Sequence, residues 1–267
     1  MTTTDRPQLH LPDWLVRNRN FVLLWAAYGV AAFGDHLSEM ALLKERNAFN
    51  RDDLTRVQAL ITFGFFLPFV VLGPLAGWWC DRFSRRTTMI VADLVRAGLV
   101  FNMGWIVGVL ARQLPTVYGD YSVVLPLGVI GTLAAFFSPA RQALLPTLIR
   151  DDQLVRANAM ISALGTIGGV ASAVVGGMLV DRFGPLWNYR ANTLTFILSA
   201  VCVTGIAMSR SRAVVHPHLD GIWTPLRDGF RYVWTHARAG QLIALGTVYW
   251  AAAGVVISVI PAVARQY

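Results

Sequence analysis

Charged side chains are scarce in this sequence. Asp, Glu, Lys and Arg make up 14% of its 267 residues, whereas 55% of the residues are apolar. In an average soluble domain about a quarter of the residues are charged, because polar groups must cover the surface. The shortage excludes an ordinary soluble domain.

Cysteine and lysine are also rare, with two cysteines and the single lysine Lys44. Cys80 and Cys202 show no C-x-x-C pattern, so neither a disulfide framework nor a metal site is predicted. A retinal protein needs a lysine in its last helix, which is absent. The motifs of common hydrolases, metalloproteases and phosphate-binding loops are missing as well. We therefore predict that the protein is not an enzyme and has no catalytic residue, metal or cofactor.

What the sequence does contain is long apolar runs. The hydrocarbon core of a bilayer is about 30 Å thick, so a spanning helix needs roughly 20 apolar residues. Seven runs meet this requirement, at about 20–43, 56–79, 87–110, 121–140, 158–180, 187–208 and 240–263. The short alternating segments of a barrel are lacking. We predict an all-α membrane protein with about seven transmembrane helices.

The basic residues lie mostly between these runs. The net charge is +8, but no basic stripe on a soluble domain is available to follow a phosphate backbone, so nucleic acid is not a predicted partner. With the N-terminus inside, 14 of the Lys and Arg residues are cytoplasmic and 8 are on the opposite side. This bias predicts a multi-pass protein of the cytoplasmic (inner) membrane with a cytoplasmic N-terminus. Residues 1–19 are polar and precede a full-length run without an A-x-A site, which predicts a retained signal-anchor.

An internal repeat relates the two halves of the first six runs. Residues 77–83 end the second run and residues 177–183 end the fifth, and both read G-x-x-x-D-R-F. Three runs separate the two copies, so they face opposite sides of the membrane. Inverted three-plus-three repeats of this kind are common in secondary transporters. The repeat also argues against a seven-helix receptor, which the number of runs alone would allow.

The loop after the second run extends this motif to G-x-x-x-D-R-x-S-R-R over residues 77–86. It resembles the signature loop of the major facilitator superfamily, in which the position of Ser84 is normally glycine. The resemblance implies close helix approach at the glycine and a charge latch that favours one alternating-access state. Enforcement of topology by the arginines is the alternative. The residues of this signature loop are Gly77, Asp81, Arg82, Arg85 and Arg86.

Two further patterns narrow the resemblance. The fifth run carries a glycine motif similar to that of proton-coupled exporters, formed by Gly168, Ser172, Gly176 and Gly177. A plain helix–helix contact explains it equally well. The family motif around Pro139, Arg141 and Asn158 resembles the group that contains drug, macrolide and siderophore exporters together with lysophospholipid transporters. Residues 33–35 (Phe-Gly-Asp) and 41–44 are more similar to the lysophospholipid branch.

Ionisable residues inside apolar runs are candidates for function, because charge is costly in lipid. Asp35 and Glu39 share one face of the first run, with His36 beside them. Burial disfavours the charged form of a carboxylate, so a buried Asp or Glu can take up and release a proton reversibly. This cluster is therefore a candidate for proton coupling and for the solute cavity. A wet position near the outer interface is the alternative. In the third run, Asp93 and Arg96 are three residues apart and predict a structural ion pair, and Asn102 is expected to line the same cavity.

These observations predict three segments. Residues 1–208 form a 3+3 inverted-repeat facilitator half-bundle, residues 209–239 a cytoplasmic linker with an amphipathic surface helix, and residues 240–267 the first helix of an incomplete C-terminal half. The predicted function is proton-coupled efflux of a small amphipathic solute by alternating access in the lipid bilayer. The alternatives are a lysophospholipid transporter or flippase, and a truncated, non-transporting fragment that needs a missing C-terminal half.

Overall fold

The structure is a computed structural model that describes residues 17–46, 54–207 and 223–264, and every regular element in these ranges is helical. The α-helices are α1 (Arg19–Glu45), α2 (Leu54–Arg82), α3 (Arg85–Phe101), α4 (Met103–Gln113), α5 (Val124–Leu148), α6 (Leu154–Phe183), α7 (Pro185–Thr204), α8 (Trp223–Thr235) and α9 (Ala237–Ala264). Single 3₁₀ segments lie at Thr116–Val123 and Asp151–Gln153.

Local sequence signals set several helix ends. The Asn18 side chain accepts a hydrogen bond from the Phe21 amide at 3.1 Å and caps the start of α1. Ser84 caps α3 in the same way, through the amide of Thr87 at 3.3 Å. Between α6 and α7, Gly184 adopts φ 83°, a left-handed conformation that favours glycine, so the chain reverses there within one residue.

Part of the bundle has the length and composition of membrane-spanning helices. Four of the described helices are long and apolar enough to cross a bilayer: Arg19–Glu45, Arg56–Arg82, Gly119–Leu148 and Asp151–Phe183. The pair α3 and α4 makes a fifth candidate if it is one span. Helix α7 is 20 residues long but begins with Asn188, Arg190 and Asn192, which lower its mean hydropathy. Composition of the described helices thus supports four or five spans of the predicted seven.

The third predicted span is not a continuous helix, which corrects the expectation for residues 87–110. Helix α3 ends at Phe101, α4 begins at Met103, and their axes differ by 60°. At the break, the Asn102 side chain donates to the carbonyl of Gly98 at 2.9 Å. Asparagine competes in this way with the backbone for hydrogen bonds, which accounts for a break at this residue.

One end of the bundle is defined by contacts of the residues at the start of α1. The Asn18 side chain donates to the carbonyl of Leu148 at 2.7 Å, and the Asn20 side chain donates to that of Ala207 at 3.0 Å. The start of α1 therefore lies beside the ends of α5 and α7. We call this the Asn18 end.

At the opposite end of the bundle, three consecutive residues at the end of α1 contact other elements. Lys44 pairs with Asp181 at 3.1 Å, the hydroxyl of Tyr189 donates to Glu45 at 2.6 Å, and Arg46 pairs with Asp120 at 3.1 Å. The end of α1 therefore meets the end of α6, the start of α7 and the Thr116–Val123 segment. We call this the Glu45 end.

Two apolar clusters fill the interior. The cluster towards the Glu45 end includes Leu42, Ile61 and Phe196, and the cluster towards the Asn18 end includes Leu24 and Phe137. Outside them, large apolar side chains are exposed, including Val70 at 78% and Leu125 at 64%. Such a surface is unfavourable in water and natural against lipid tails.

Candidate functional site

Glu39 is the centre of a polar cluster that joins α1 to α2. One of its carboxylate oxygens lies 3.1 Å from Nδ1 of His36, and the other accepts a hydrogen bond from the Gln58 side-chain amide. Gln58 belongs to α2 and is 2% exposed, and its own Oε1 has no hydrogen-bond partner within the described ranges. Both oxygens of Glu39 are thus held in place.

His36 extends this cluster to α6. A Cβ atom added at Gly169 would lie 3.1 Å from Nε2 of His36, so the imidazole lies against the glycine backbone of that helix. About half of the His36 side chain, 46%, is exposed. The cluster therefore connects α1, α2 and α6 and is accessible on one side.

Asp93 and Arg96 form an ion pair that is enclosed by three helices. Their side chains are 0% and 2% exposed. The hydroxyl of Ser199 on α7 donates to Asp93 at 2.6 Å. The Arg96 guanidinium lies 4.9 Å from the ring centre of Phe137 on α5 and 4.4 Å from that of Phe196 on α7. Since Phe137 and Phe196 belong to different apolar clusters, the pair lies at the boundary between the two clusters.

Asp35 connects the two groups. The charged residues that act on its carboxylate are Arg96, His36 and Glu39, and Asp35 in turn acts on Asp93. The sequence placed these residues in two separate spans, whereas the fold brings them into one electrostatic neighbourhood.

A row of polar residues on α7 was missed by the sequence analysis. The Asn188 side chain donates to the carbonyls of Leu37 and Gly176, both at 3.0 Å, and Asn192 donates to the hydroxyl of Ser38 at 2.6 Å. Both asparagines are at most 1% exposed. Their i, i+4 spacing in an apolar helix is the signal that could have identified them.

The signature loop lies at the Asn18 end. Arg85 donates to the carbonyl of Ala143 at 2.7 Å, and Arg86 donates to the carbonyls at the end of α7. Arg82 lies over the ring of Trp78 at 5.3 Å. Asp81 is exposed and makes no ion pair with any residue that the structure describes. Arg85 and Arg86 thus bind the loop to α5 and α7.

The glycines divide into two groups, which corrects the expectation of close helix approach at Gly77. A Cβ atom at Gly77 or Gly177 would meet no atom of the described residues within 4 Å. At Gly176 the same atom would lie 3.3 Å from side chains of α1, and at Gly168 it would lie 4.0 Å from the Gly29 carbonyl. Ser172 is fully buried on the same face. Gly168, Ser172 and Gly176 therefore form the contact of α6 with α1.

The remaining site candidates are more dispersed. Asn102, which was expected to line the same cavity as the Asp93–Arg96 pair, is exposed and donates a hydrogen bond to the carbonyl of Gly98 at the break. Asn158 is exposed and donates to the carbonyl of Leu154 at 3.0 Å. Pro139 is accommodated within α5. Arg141 lies inside α5 over the ring of Tyr28, not in a loop beyond residue 140.

Long apolar helices around buried charges define a multi-pass helical membrane protein. Residues 23–267 match the family model of the Major Facilitator Superfamily. The chain therefore belongs to the major facilitator superfamily, whose members are transporters and not enzymes.

Several curated proteins are similar to this chain. A protein of Yersinia enterocolitica named lysophospholipid transporter LplT is 25% identical in an alignment of 289 positions. The alignment covers 92% of this chain and 67% of the relative. Macrolide efflux protein A of Streptococcus pyogenes is 27% identical over 181 residues, 68% of this chain and 42% of the relative. An LplT protein of Pectobacterium carotovorum is 26% identical over 249 residues, 89% of this chain and 54% of the relative. The chain thus spans from about two fifths to two thirds of the length of these relatives.

Proposed function

We propose that the chain forms a six-helix half of a secondary transporter that moves an amphipathic solute by alternating access, coupled to protons. The observation that carries this proposal is the pattern of helix packing. Helix α1 packs against α6 and α7, α5 packs against α2 and α3, and α3 packs against α7. If α1, α2 and α3 are exchanged with α5, α6 and α7, each of these pairs maps onto another pair or onto itself. A three-plus-three inverted repeat has this symmetry.

The two copies of the G-x-x-x-D-R-F motif support the same proposal. Asp81 precedes the arginines that bind α5 and α7 at the Asn18 end. Asp181 pairs with Lys44 at the Glu45 end. The copies thus lie at opposite ends of the bundle, as a flip across the bilayer plane requires.

We extend the proposal to the segments that follow. Residues 1–208 are the six-helix half, with α7 as a span. Residues 209–239 form the cytoplasmic linker, of which 209–222 lie outside the described residues. Helix α8 lies in this linker with Arg227 and Arg231 exposed, positions suited to anionic head groups. Residues 240–267 begin a second half, and α9 packs against α2.

Proton coupling is assigned to the carboxylates of α1. Asp35 belongs to a helix of membrane-spanning length and is within the electrostatic field of Arg96 and Glu39. Ionisable groups in such positions are costly and mark ion and proton pathways. Protonation of Asp35 would remove a charge that acts on Arg96 and Asp93, and Asp93 is held to α7 by the hydroxyl of Ser199.

Two solute classes are candidates. Proton-linked export of a lipophilic compound agrees with the similarity to macrolide efflux protein A. Lysophospholipid movement between leaflets, with or without protons, agrees with the similarity to several proteins named LplT. Both solutes are amphipathic, and identities of 25–27% do not discriminate between them.

Reconstitution in proteoliposomes with an imposed pH gradient tests the proposal. The 267-residue chain, and in parallel a version that carries a second six-helix half, would be assayed for efflux of lipophilic cations and for flipping of a labelled lysophospholipid. We expect at least one form to move one of the two solutes. If only the extended form is active, the chain alone is a non-transporting fragment. Absence of transport in both forms would refute the proposed function.

In the active form, Asp35→Asn is expected to abolish the dependence of transport on the pH gradient while leaving downhill movement of solute. The matched control is Asp152→Asn, because Asp152 lies in the short 3₁₀ segment Asp151–Gln153, is 66% exposed and pairs with Arg150 at 3.2 Å. The control should keep full coupling. Unchanged proton-driven transport in Asp35→Asn would remove Asp35 from the site.

A further inference from the structure

Arg141 lies in an unusual environment for an arginine. It is partly buried in α5, seven residues before the helix ends at Leu148. Its guanidinium carbon is 4.4 Å from the ring centre of Tyr28 on α1. The same tyrosine packs on α6, where a Cβ atom at Gly165 would lie 2.6 Å from the phenol oxygen. Arg141 and Tyr28 therefore meet where α1, α5 and α6 come together.

The other arginines of the described bundle that are partly or fully buried have polar partners. Arg96 binds Asp93, and Arg85 and Arg86 bind backbone carbonyls. Arg141 makes neither a hydrogen bond nor an ion pair with any residue in the described ranges. Its guanidinium lies over the ring of Tyr28 in a cation–π contact. A guanidinium has five N–H donors, and a charge within a membrane-spanning segment is costly unless it is paired. The N–H donors of the Arg141 guanidinium thus have no acceptor among the described residues.

We propose that Arg141 and Tyr28 bind the anionic head group of the transported amphiphile, a phosphate ester that carries one acyl chain. The planar guanidinium matches two phosphate oxygens, and the aromatic ring beneath it holds the plane of the fork. Arg141 lies about 10 Å along the helix from Leu148 at the Asn18 end. A phosphate at that depth leaves the acyl chain directed into the apolar part of the bundle. This assignment rests on the proposed function and specifies its solute class.

Binding is measured on the purified chain in phosphatidylcholine nanodiscs by titration calorimetry. The probes are lysophosphatidylglycerol, a monoacylglycerol with the same acyl chain and no phosphate, and inorganic phosphate. The variants are Arg141→Gln, Arg141→Lys and Tyr28→Leu. The matched control is Arg190→Gln, since Arg190 also lies over an aromatic ring, that of Trp187 at 5.4 Å, but near the Glu45 end of the bundle.

We expect Arg141→Gln to weaken lysophosphatidylglycerol binding by about tenfold or more, which is the usual loss for a charge-assisted hydrogen bond. Binding of the monoacylglycerol should change less than about twofold. Arg141→Lys should retain part of the affinity, because it keeps the charge and loses the fork. Tyr28→Leu should weaken binding measurably, and Arg190→Gln should have no effect. Weak binding of inorganic phosphate that also depends on Arg141 would identify the phosphate group as the element recognised.

Equal affinity of wild type and Arg141→Gln for lysophosphatidylglycerol would overturn the assignment, as would an equal loss for the uncharged monoacylglycerol. If wild type transports solute in proteoliposomes but Arg141→Gln binds normally, this inference fails and the proposed function stands. If neither the 267-residue chain nor the extended form transports solute and the wild-type chain does not bind lysophosphatidylglycerol, both fail. Should Arg141→Gln not yield a monodisperse protein, the comparison of Arg141→Lys and Tyr28→Leu with Arg190→Gln decides the question by the same criteria.

Discussion

Arg96 is among the largest fully buried side chains of the protein, and its charge is balanced inside the bundle. The Asp93 carboxylate supplies the opposite charge, Ser199 donates to that carboxylate, and two phenylalanine rings cover the guanidinium. Burial of an ion pair is unfavourable unless its hydrogen bonds are satisfied. The one exception is Nε of Arg96, which has no partner in the described part of the chain. The pair is therefore held in place by three helices at once.

Removal of one member of this pair should destabilise the protein more than removal of both. Arg96→Met leaves a buried, uncompensated carboxylate and should lower the free energy of unfolding by about 3–5 kcal/mol. The double variant Asp93→Leu with Arg96→Met replaces the pair by apolar side chains and should recover at least about 2 kcal/mol of this loss. SDS-induced unfolding of the purified chain measures both. A double variant that is as unstable as Arg96→Met alone would contradict the prediction.

Spacing along the chain predicted contacts within a helix and missed contacts between helices. Asp93 and Arg96 are three residues apart in sequence, so their pairing followed from helical geometry. Gln58 is 19 residues from Glu39 and Ser199 is 106 residues from Asp93, and nothing in a single sequence brings them together. The link from Asp35 to Arg96 was missed for the same reason. The candidate residues were thus found from residue type, whereas their partners required the fold.

At the scale of a helix, the glycines show that a motif and its packing role are separate properties. Gly131 of α5 faces the backbone of Phe65 on α2 so closely that an added Cβ atom would overlap the Phe65 carbonyl. Gly77, within the signature loop motif, has no neighbour within 4 Å among the residues that the structure describes. The sequence motif drew attention to Gly77, but the close helix approach occurs at a glycine that no motif identified. A glycine that lacks a neighbour is free to carry a side chain.

The two positions should therefore respond in opposite ways to alanine. Gly131→Ala forces a methyl group into the backbone of α2, and overpacking of this kind costs about 1–3 kcal/mol. Gly77→Ala meets no atom in the described part of the chain and improves helix propensity, so it should leave stability unchanged or raise it by up to about 1 kcal/mol. Thermal unfolding in detergent, followed by circular dichroism, compares the two variants with wild type. A larger loss for Gly77→Ala than for Gly131→Ala would show that the close contact of α2 with α5 is wrong.

Helix ends were predicted less well than helix existence. The apolar run at 121–140 ends at the last strongly apolar residues, but α5 continues to Leu148, because Pro139 and Arg141 are tolerated where neighbouring helices surround them. In the third run the error was the reverse, since a continuous apolar pattern concealed the break at Asn102. Hydropathy reports the average environment of a segment and is insensitive to one side chain that redirects the backbone. Both differences affect candidate site residues.

For the whole molecule, the prediction of an all-helical, multi-pass membrane protein of the major facilitator superfamily is confirmed by the family match over residues 23–267. The number of spans is supported in part, since four or five of the predicted seven meet the requirement of length and composition, and α7 falls short because it combines a polar start with an apolar remainder. That polar start is functional in the fold: Asn188 and Asn192 fasten α7 to α1. A span whose polar groups are buried against other helices has too low a mean hydropathy to be recognised from composition alone. The symmetry of the helix packing favours α7 as a span.

The inverted relationship of the two motif copies leads to a test of topology. In a chain with Cys80 and Cys202 replaced by serine, a single cysteine is introduced by Asp81→Cys, Asp181→Cys or Lys44→Cys. Each variant is treated with a membrane-impermeant maleimide in right-side-out and in inverted vesicles. Because Asp181 pairs with Lys44 at 3.1 Å, these two positions should be labelled from the same side, and the position of Asp81 from the other. The positive-inside bias assigns the Asp81 side to the cytoplasm. Labelling of Asp81→Cys and Asp181→Cys from one common side cannot be reconciled with two three-helix units inverted across the membrane, because an odd number of spans between equivalent motif copies requires that they emerge in different compartments.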